Sequence, residues 1–212
     1  MLVRRFTRSE LAVHWMLALS VLAMIATGIA LGVNVWHAAA FPVHVGSVFV
    51  LAGGLVLAAL AGDRPALRRA TRQLRTLGAD DRRWLAWAPR SLLGGRGGDP
   101  PPVGRFNAGQ KLNAMLIATL LAASTASGLY WWAKLHGVVS NSNLDGAIHN
   151  VAGVAIIVLV CGHLYMAVLN PATRHALRGI TTGSVDAGWA AEHHPTWLAE
   201  VAGDGGDPAR EI

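Results

Sequence analysis

Apolar and polar positions segregate into four long apolar runs separated by polar stretches. The runs are Leu11–Val33, Val43–Ala61, Leu112–Trp132 and Ala147–Leu169. Each holds about 20 residues, nearly free of charge, which is the length an α-helix needs to cross a hydrocarbon core about 30 Å thick. The pattern predicts an all-α, integral-membrane four-helix bundle over residues 1–171, with a basic loop at 63–108 between the second and third helices and a tail at 172–212. The first run follows Arg4, Arg5 and Arg8, as a signal peptide would. Its apolar stretch is too long for an h-region, and "LGVNVWH" offers no small-residue cleavage site, so it is predicted to be a retained helix.

Composition agrees with insertion: of 212 residues, 53% are hydrophobic and 14% charged, with mean hydropathy +0.40. Arginine placement then sets the orientation. Ten arginines lie between Arg64 and Arg105, and more flank the first helix and the tail, whereas Asn34–Pro42 and Ala133–Gly146 contain only Lys134. The positive-inside rule puts both termini in the cytoplasm and makes the chain a multi-pass membrane protein. Topology and contact with anionic lipid account for the net charge of +6, so no nucleic-acid partner is needed. Cys161 is the only cysteine, which excludes an internal disulfide, a C-x-x-C-H attachment of c-type haem, and an iron–sulfur or molybdopterin site built from thiolates.

In the basic loop, Leu67, Leu74, Leu77 and Trp84 among the arginines fit either a short amphipathic helix on the membrane surface or a solvated loop. "GGRGGDPPPVG" reads as a turn-rich linker, and "GDGGDPAREI" as a disordered end.

Four histidines fall in or at the edges of the apolar runs: His14, His44, His149 and His163. Ionisable groups within a membrane are costly and mark function, although one alone could be interhelical polar glue. His149 and His163 are fourteen positions apart, so on one helix they share a face to within roughly 40° and are separated by about 21 Å along the axis. Helix direction then sorts the four by depth: His14 with His163 towards the cytoplasm, His44 with His149 towards the outside. Each pair suits bis-imidazole ligation of one non-covalent haem iron. Zinc would need further ligands, and none stands nearby. Gly46, Gly153 and Gly162 adjoin the histidines and would let a flat macrocycle approach. His37 and His136 fall on the outer loops and His175 in the tail, while His193 and His194 of "HHPTW" suggest a capped turn beside an interfacial Trp197. Trp15, Trp36, Trp131 and Trp132 suit an interfacial belt.

"GRFNAGQKLNAM" places Asn107, Gln110, Lys111 and Asn113 at the mouth of the third helix. Asn107 and Gln110 could close a capping box. Their amides could equally bind the carbonyl oxygens of a quinone beside His163.

These stretches resemble the cytochrome b (gamma) subunit of respiratory, membrane-bound formate dehydrogenases. The resemblance covers nearly the whole chain and is strongest in "VGRFNAGQKL", "IHNVAGVAIIVLVCGHLYMAVLNP" and "GWAAEHHPTW". It implies two haem b groups, the outer held by His44 and His149 and the inner by His14 and His163. It also implies a quinone site (menaquinone or ubiquinone) at Asn107, Gly109, Gln110 and His163. The partners implied are an iron–sulfur (beta) subunit and, through it, a molybdenum- or tungsten-containing catalytic (alpha) subunit on the outer side. Relatives carry an "eRxxHW" pattern where "SELAVHW" has Leu11, leaving Arg5 or Arg8 as a propionate contact.

The chain therefore reads as a membrane electron-transfer subunit with no formate chemistry of its own. The same scaffold could serve a hydrogenase or a sulfur-compound reductase. A haem-free membrane anchor or transporter is the rival from a different class.

Overall fold

The computed structural model describes residues 1–92, 100–138, 144–171 and 173–203. In chain order its elements are β1 (Leu2–Arg4), α1 (Arg8–Gly32), α2 (His37–Ala61), α3 (Arg64–Arg75), α4 (Ala79–Leu92), α5 (Ala108–Leu135) and α6 (Leu144–Leu164). A wide π turn (Tyr165–Leu169) and a 3₁₀ turn (Arg174–Ala176) follow, then α7 (Leu177–Thr182), β2 (Ser184–Asp186), α8 (Ala187–His193) and α9 (Pro195–Gly203). The first six residues of the "GGRGGDPPPVG" linker and all but the first residue of "GDGGDPAREI" lie outside the described residues. The chain divides into two units, each described by itself.

The spanning unit comprises Ala12–Gly62 and Leu116–Tyr165, the bodies of four helices long and apolar enough to cross a membrane. Only 6–11% of the residues in each apolar stretch are buried within the protein. Side chains such as Leu19, Phe49, Leu57, Val151 and Val158 are exposed. Helices apolar on all sides need an apolar solvent, and lipid supplies it.

All four spanning helices begin earlier than the apolar runs suggest, and in three of them the reason is visible at the start of the helix. In α1, Thr7 and Glu10 close a capping box: Thr7 N–H donates to Glu10 Oε2 at 2.8 Å and Glu10 N–H to Thr7 Oγ1 at 3.3 Å. In α2 the helix runs through Pro42, which masks the first turns in an apolar pattern that starts after it. In α6, Asp145 occupies the first turn, where a carboxylate suits the positive helix end.

The second unit is assembled from Met1–Leu11, Asp63–Met115 and the chain after Tyr165. The basic stretch forms two helices rather than a loop. Asp63 Oδ1 accepts from Ala66 N–H at 3.0 Å to start α3. The arginines Arg64, Arg68, Arg69, Arg72 and Arg75 of α3 are exposed, whereas Ala66 is buried and Leu67 and Leu74 are half-buried. The tail is folded and includes the N-terminal residues. β1 pairs antiparallel with β2, Val3 opposite Val185, and these two valines join Ala190 and Trp197 in a small core. Trp197, read from sequence as interfacial, is thus a core residue with 5% exposure. Gly183 closes α7 at φ 86, a left-handed geometry that glycine adopts freely. Its carbonyl accepts from the N–H groups of both Arg5 and Phe6, at 2.7 and 3.0 Å. Because β1 and β2 pair, residues 2–4 and 184–186 lie side by side although all four apolar helices separate them in sequence.

Candidate functional site

The four membrane histidines come together in pairs. His44 on α2 and His149 on α6 have ring centroids 6.0 Å apart; His14 on α1 and His163 on α6 are 6.4 Å apart. Two imidazoles on opposite faces of one iron place their centres about 6.3 Å apart, from metal–nitrogen bonds of about 2 Å and about 1.1 Å from ring centre to nitrogen. Both pairs match that spacing.

In the His44–His149 pair, hydrogen bonding selects the tautomer. His149 Nδ1 lies 2.9 Å from the Ser124 carbonyl oxygen, which can only accept, so Nδ1 carries the proton. Thr27 Oγ1 donates its one proton to the Ala23 carbonyl at 2.6 Å and therefore accepts from His44 Nδ1–H at 2.9 Å. Both Nε2 atoms are left with a bare lone pair, the form a metal requires. A second partner of this kind fixes ring orientation and raises ligand basicity. Thr27 and Ser124 were not singled out from sequence. The one signal for Thr27 is a hydroxyl directly before a glycine, in "ATGI"; Ser124 acts through its backbone carbonyl, which no letter of "STASG" announces.

Those glycines seat the rings. A Cβ on Gly28 would lie 3.4 Å from His44 Cε1, and one on Gly128 3.1 Å from His149 Cε1 and Nδ1. Gly46, Gly153 and Gly162, beside the histidines in sequence, face open space. Trp131 lies edge-on to His149 at 6.1 Å, so it borders the pair as well as suiting a belt position.

The His14–His163 pair is furnished differently. Trp15 packs edge-on to His14 at 5.8 Å, and His163 is exposed one residue before α6 gives way to the π turn. No hydrogen bond to either ring is found among the described residues, nor is any cluster of three or more metal-ligating side chains. The donor set is therefore two imidazoles per site. That fits haem b and falls short of a zinc site.

The mouth of α5 belongs to the other unit. Its capping box is formed: Asn107 Oδ1 accepts from Gln110 N–H at 2.8 Å, and Gln110 Oε1 from Asn107 N–H at 3.0 Å. Both side-chain oxygens are thus occupied, and each amide keeps its NH₂ as a donor. Capping and carbonyl binding are compatible, because they use opposite ends of the same amide. Gly109 packs under Trp84, whose ring would lie 3.1 Å from an added Cβ. Asn107 and Trp84 line a cleft of about 200 Å³ with Asp80, Asp81, Lys111 and Thr196.

Buried charge holds this mouth in place. Arg105 Nη2 donates to both Glu10 carboxylate oxygens at 2.8 Å and to the Arg5 carbonyl at 2.5 Å. Arg5 Nη2 returns a bond to the Arg105 carbonyl at 2.6 Å. The Arg5 guanidinium is enclosed by the rings of Phe6, Trp189 and Trp197 and is 4% exposed; burial, then Arg105, pulls its pKa down to about 10. Arg5 is therefore committed here, and of the two propionate contacts suggested in place of the missing arginine, only Arg8 remains exposed. His194 Nδ1–H donates to the Gly104 carbonyl at 2.7 Å, and burial followed by Arg5 lowers its pKa to about 4. The "HHPTW" motif thus reaches the strand of chain leading into α5.

The cytochrome b556(Fdn) subunit of the nitrate-inducible formate dehydrogenase of Escherichia coli K12 is 31% identical over 105 residues, 47% of this chain and 46% of that protein. The cytochrome b556(fdo) subunit of formate dehydrogenase from the same strain is 30% identical over 101 residues, 46% of each. The chain spans about half the length of the curated relatives it matches. A family model described as prokaryotic cytochrome b561 matches residues 5–183, a span that holds all four apolar helices and all four membrane histidines. The chain therefore belongs to the prokaryotic cytochrome b561 family of haem b membrane proteins that carry electrons.

Proposed function

We propose that this chain is the membrane subunit that accepts electrons from a formate dehydrogenase on the outer side and delivers them to quinone near the cytoplasmic face. His44 and His149 hold one haem b, and His14 and His163 a second. When bound, the two groups supply one-electron iron carriers at two depths, joined through α6, which provides a ligand to each. The observation that carries this reading is the pair of imidazole–imidazole spacings, 6.0 and 6.4 Å. Thr27 and Ser124 hold His44 and His149 in the ligating tautomer.

The names of the relatives support formate dehydrogenase as the donor complex, with an iron–sulfur subunit docking outside and a molybdenum or tungsten subunit behind it. The arginine-rich side faces the cytoplasm of a bacterial inner membrane, with both termini there. Asn107 and Gln110 offer NH₂ donors to the carbonyl oxygens of the quinone, and Gly109 lets Trp84 close over the helix start. Reduction consumes cytoplasmic protons while electrons cross inward, so turnover charges the membrane.

The test is a pyridine haemochrome assay on the purified chain, with haem supplied during expression. Two b haems per polypeptide are expected; one or none overturns the assignment. Gln110→Ala should leave donor-driven reduction intact and slow reoxidation by quinone. Unchanged reoxidation would return Gln110 to capping alone.

A further inference from the structure

The cleft at Asn107 has a larger neighbour of about 400 Å³, lined by Arg72, Gln73, Thr76, Arg105, Phe106 and Glu200 among others. The two share four residues: Gly78, Asp81, Gly104 and Lys111. Two of these, Asp81 and Lys111, carry opposite charges and are bonded to one another. Lys111 Nζ donates to Asp81 Oδ2 at 2.7 Å, with side chains 16% and 11% exposed. Asp81 Oδ2 also accepts from Gly78 N–H at 2.8 Å. The ion pair is thus the wall between a cleft that contains Asn107 and one that reaches the exposed carboxylate of Glu200.

Reducing a quinone to a quinol takes two electrons and two protons. Adding electrons to a carbonyl oxygen away from bulk water is costly unless charge is matched and a proton follows. A lysine ammonium can do both.

Resting on the quinone reading above, we propose that Lys111 and Asp81 are the proton relay into that site. Lys111 Nζ gives a proton to the reduced quinone oxygen on the Asn107 side. The resulting amine is reprotonated through Asp81 from water in the larger cleft. Two such passes, with two electrons from this subunit, turn quinone into quinol and leave both side chains as they began. The charged groups around the pair are Asp80 on the smaller cleft and Arg72, Arg105 and Glu200 on the larger. Glu200 faces solvent and collects protons.

A purely structural role for the pair is to tie α4 to α5, and Lys111→Arg separates the two. Arginine keeps the bond to Asp81 and the charge but does not give up a proton at physiological pH. In the purified complex, chemically reduced and mixed with a soluble quinone, Lys111→Arg should reoxidise at least roughly tenfold more slowly at neutral pH. The rate should fall further as pH rises, and a small weak acid added in solution should restore it. Affinity for a soluble quinone analogue, read by calorimetry, should stay at the wild-type value, and so should haem content. Asp81→Asn should show the same pH-dependent slowing. Wild-type rates in Lys111→Arg from pH 6 to 9, with Gln110→Ala slow, would overturn the relay alone. If Asn107→Ala and Gln110→Ala also leave reoxidation and analogue binding unchanged, the quinone site itself is misplaced.

Discussion

The two units of the molecule satisfy their buried polar groups by opposite means. In the spanning unit the bonds are neutral and mostly local. Thr27, Ser47 and Ser127 donate to carbonyls four residues back, at 2.6 to 2.8 Å. His44 and His149 bond a hydroxyl and a carbonyl, and among the described residues of this unit the ion pair is Lys134–Asp145, where α6 begins. In the other unit the work is done by buried charge, with Arg105 on Glu10 and Lys111 on Asp81. A low-dielectric environment penalises lone charge heavily, which favours the neutral solution in lipid. An aqueous-side fold can keep ions, provided each has its partner. The difference teaches that mutation of single neutral bonds will tune the spanning sites, whereas acid and charge removal will act on the other unit.

The largest expected effect is categorical. His149→Ala should remove one haem and leave the His14–His163 site filled, so haem absorbance falls to roughly half. Retention of both haems in a quantitative haem assay would dissolve the pairing, and with it one side of the comparison. Next comes charge removal. Arg105→Ala strands the Glu10 carboxylate, 8% exposed, at a cost of about 3–5 kcal/mol. Chemical denaturation followed by tryptophan emission should show the second unit weakened while the haem spectrum stays native.

Acid should act on the same unit. His194 titrates near 6.5 when unfolded and at about 4 when folded, so the unfolded chain binds the extra proton first. Stability contributed by neutral His194 is intact above pH 6.5 and is lost progressively down to pH 4, a loss of the order of 3 kcal/mol. His194→Gln should flatten that window in a pH series of melts; an unchanged acid slope would remove His194 as its cause. Smallest is Thr27→Val, which takes the hydroxyl acceptor from the His44 N–H and leaves it the Met24 carbonyl, at a cost of about 1 kcal/mol. Affinity for the haem held by His44 should drop roughly 10- to 100-fold and its redox potential should rise. Potentiometric titration resolves the two haems, and an equal shift in both would contradict the assignment.

How much of this was legible in the letters depends on how local each signal is. The four spans and the four histidines are local, since run length and an ionisable residue inside an apolar run can be read directly. The Asn107–Gln110 capping box is equally local, and the structure forms it. Thr27 was hidden because a hydroxyl in an apolar helix bonds its own preceding turn by default, and Ser124 because its bond is made by a backbone carbonyl. Nothing in "ATGI" says that a histidine of another helix faces it. The pairing of Leu2–Arg4 with Ser184–Asp186 was also hidden. Three-residue strands carry no period, and their partners lie at opposite ends of the sequence. Arg5 looked like one more orientation-setting arginine; its aromatic cage comes from residues Trp189 and Trp197 far down the chain.

That small ribbon also bears on biosynthesis. β1 leaves the ribosome before β2 and stays an unpaired edge until β2 has been made, after all four helices have been handed to the membrane. If one helix fails to insert, the two strands end up on opposite faces of the bilayer and cannot meet. The Val3, Val185, Ala190 and Trp197 cluster then never forms. Closure of three residues against three thus reports that every crossing has been made, and a misinserted chain is left with an exposed strand and an open core for quality-control proteases to find.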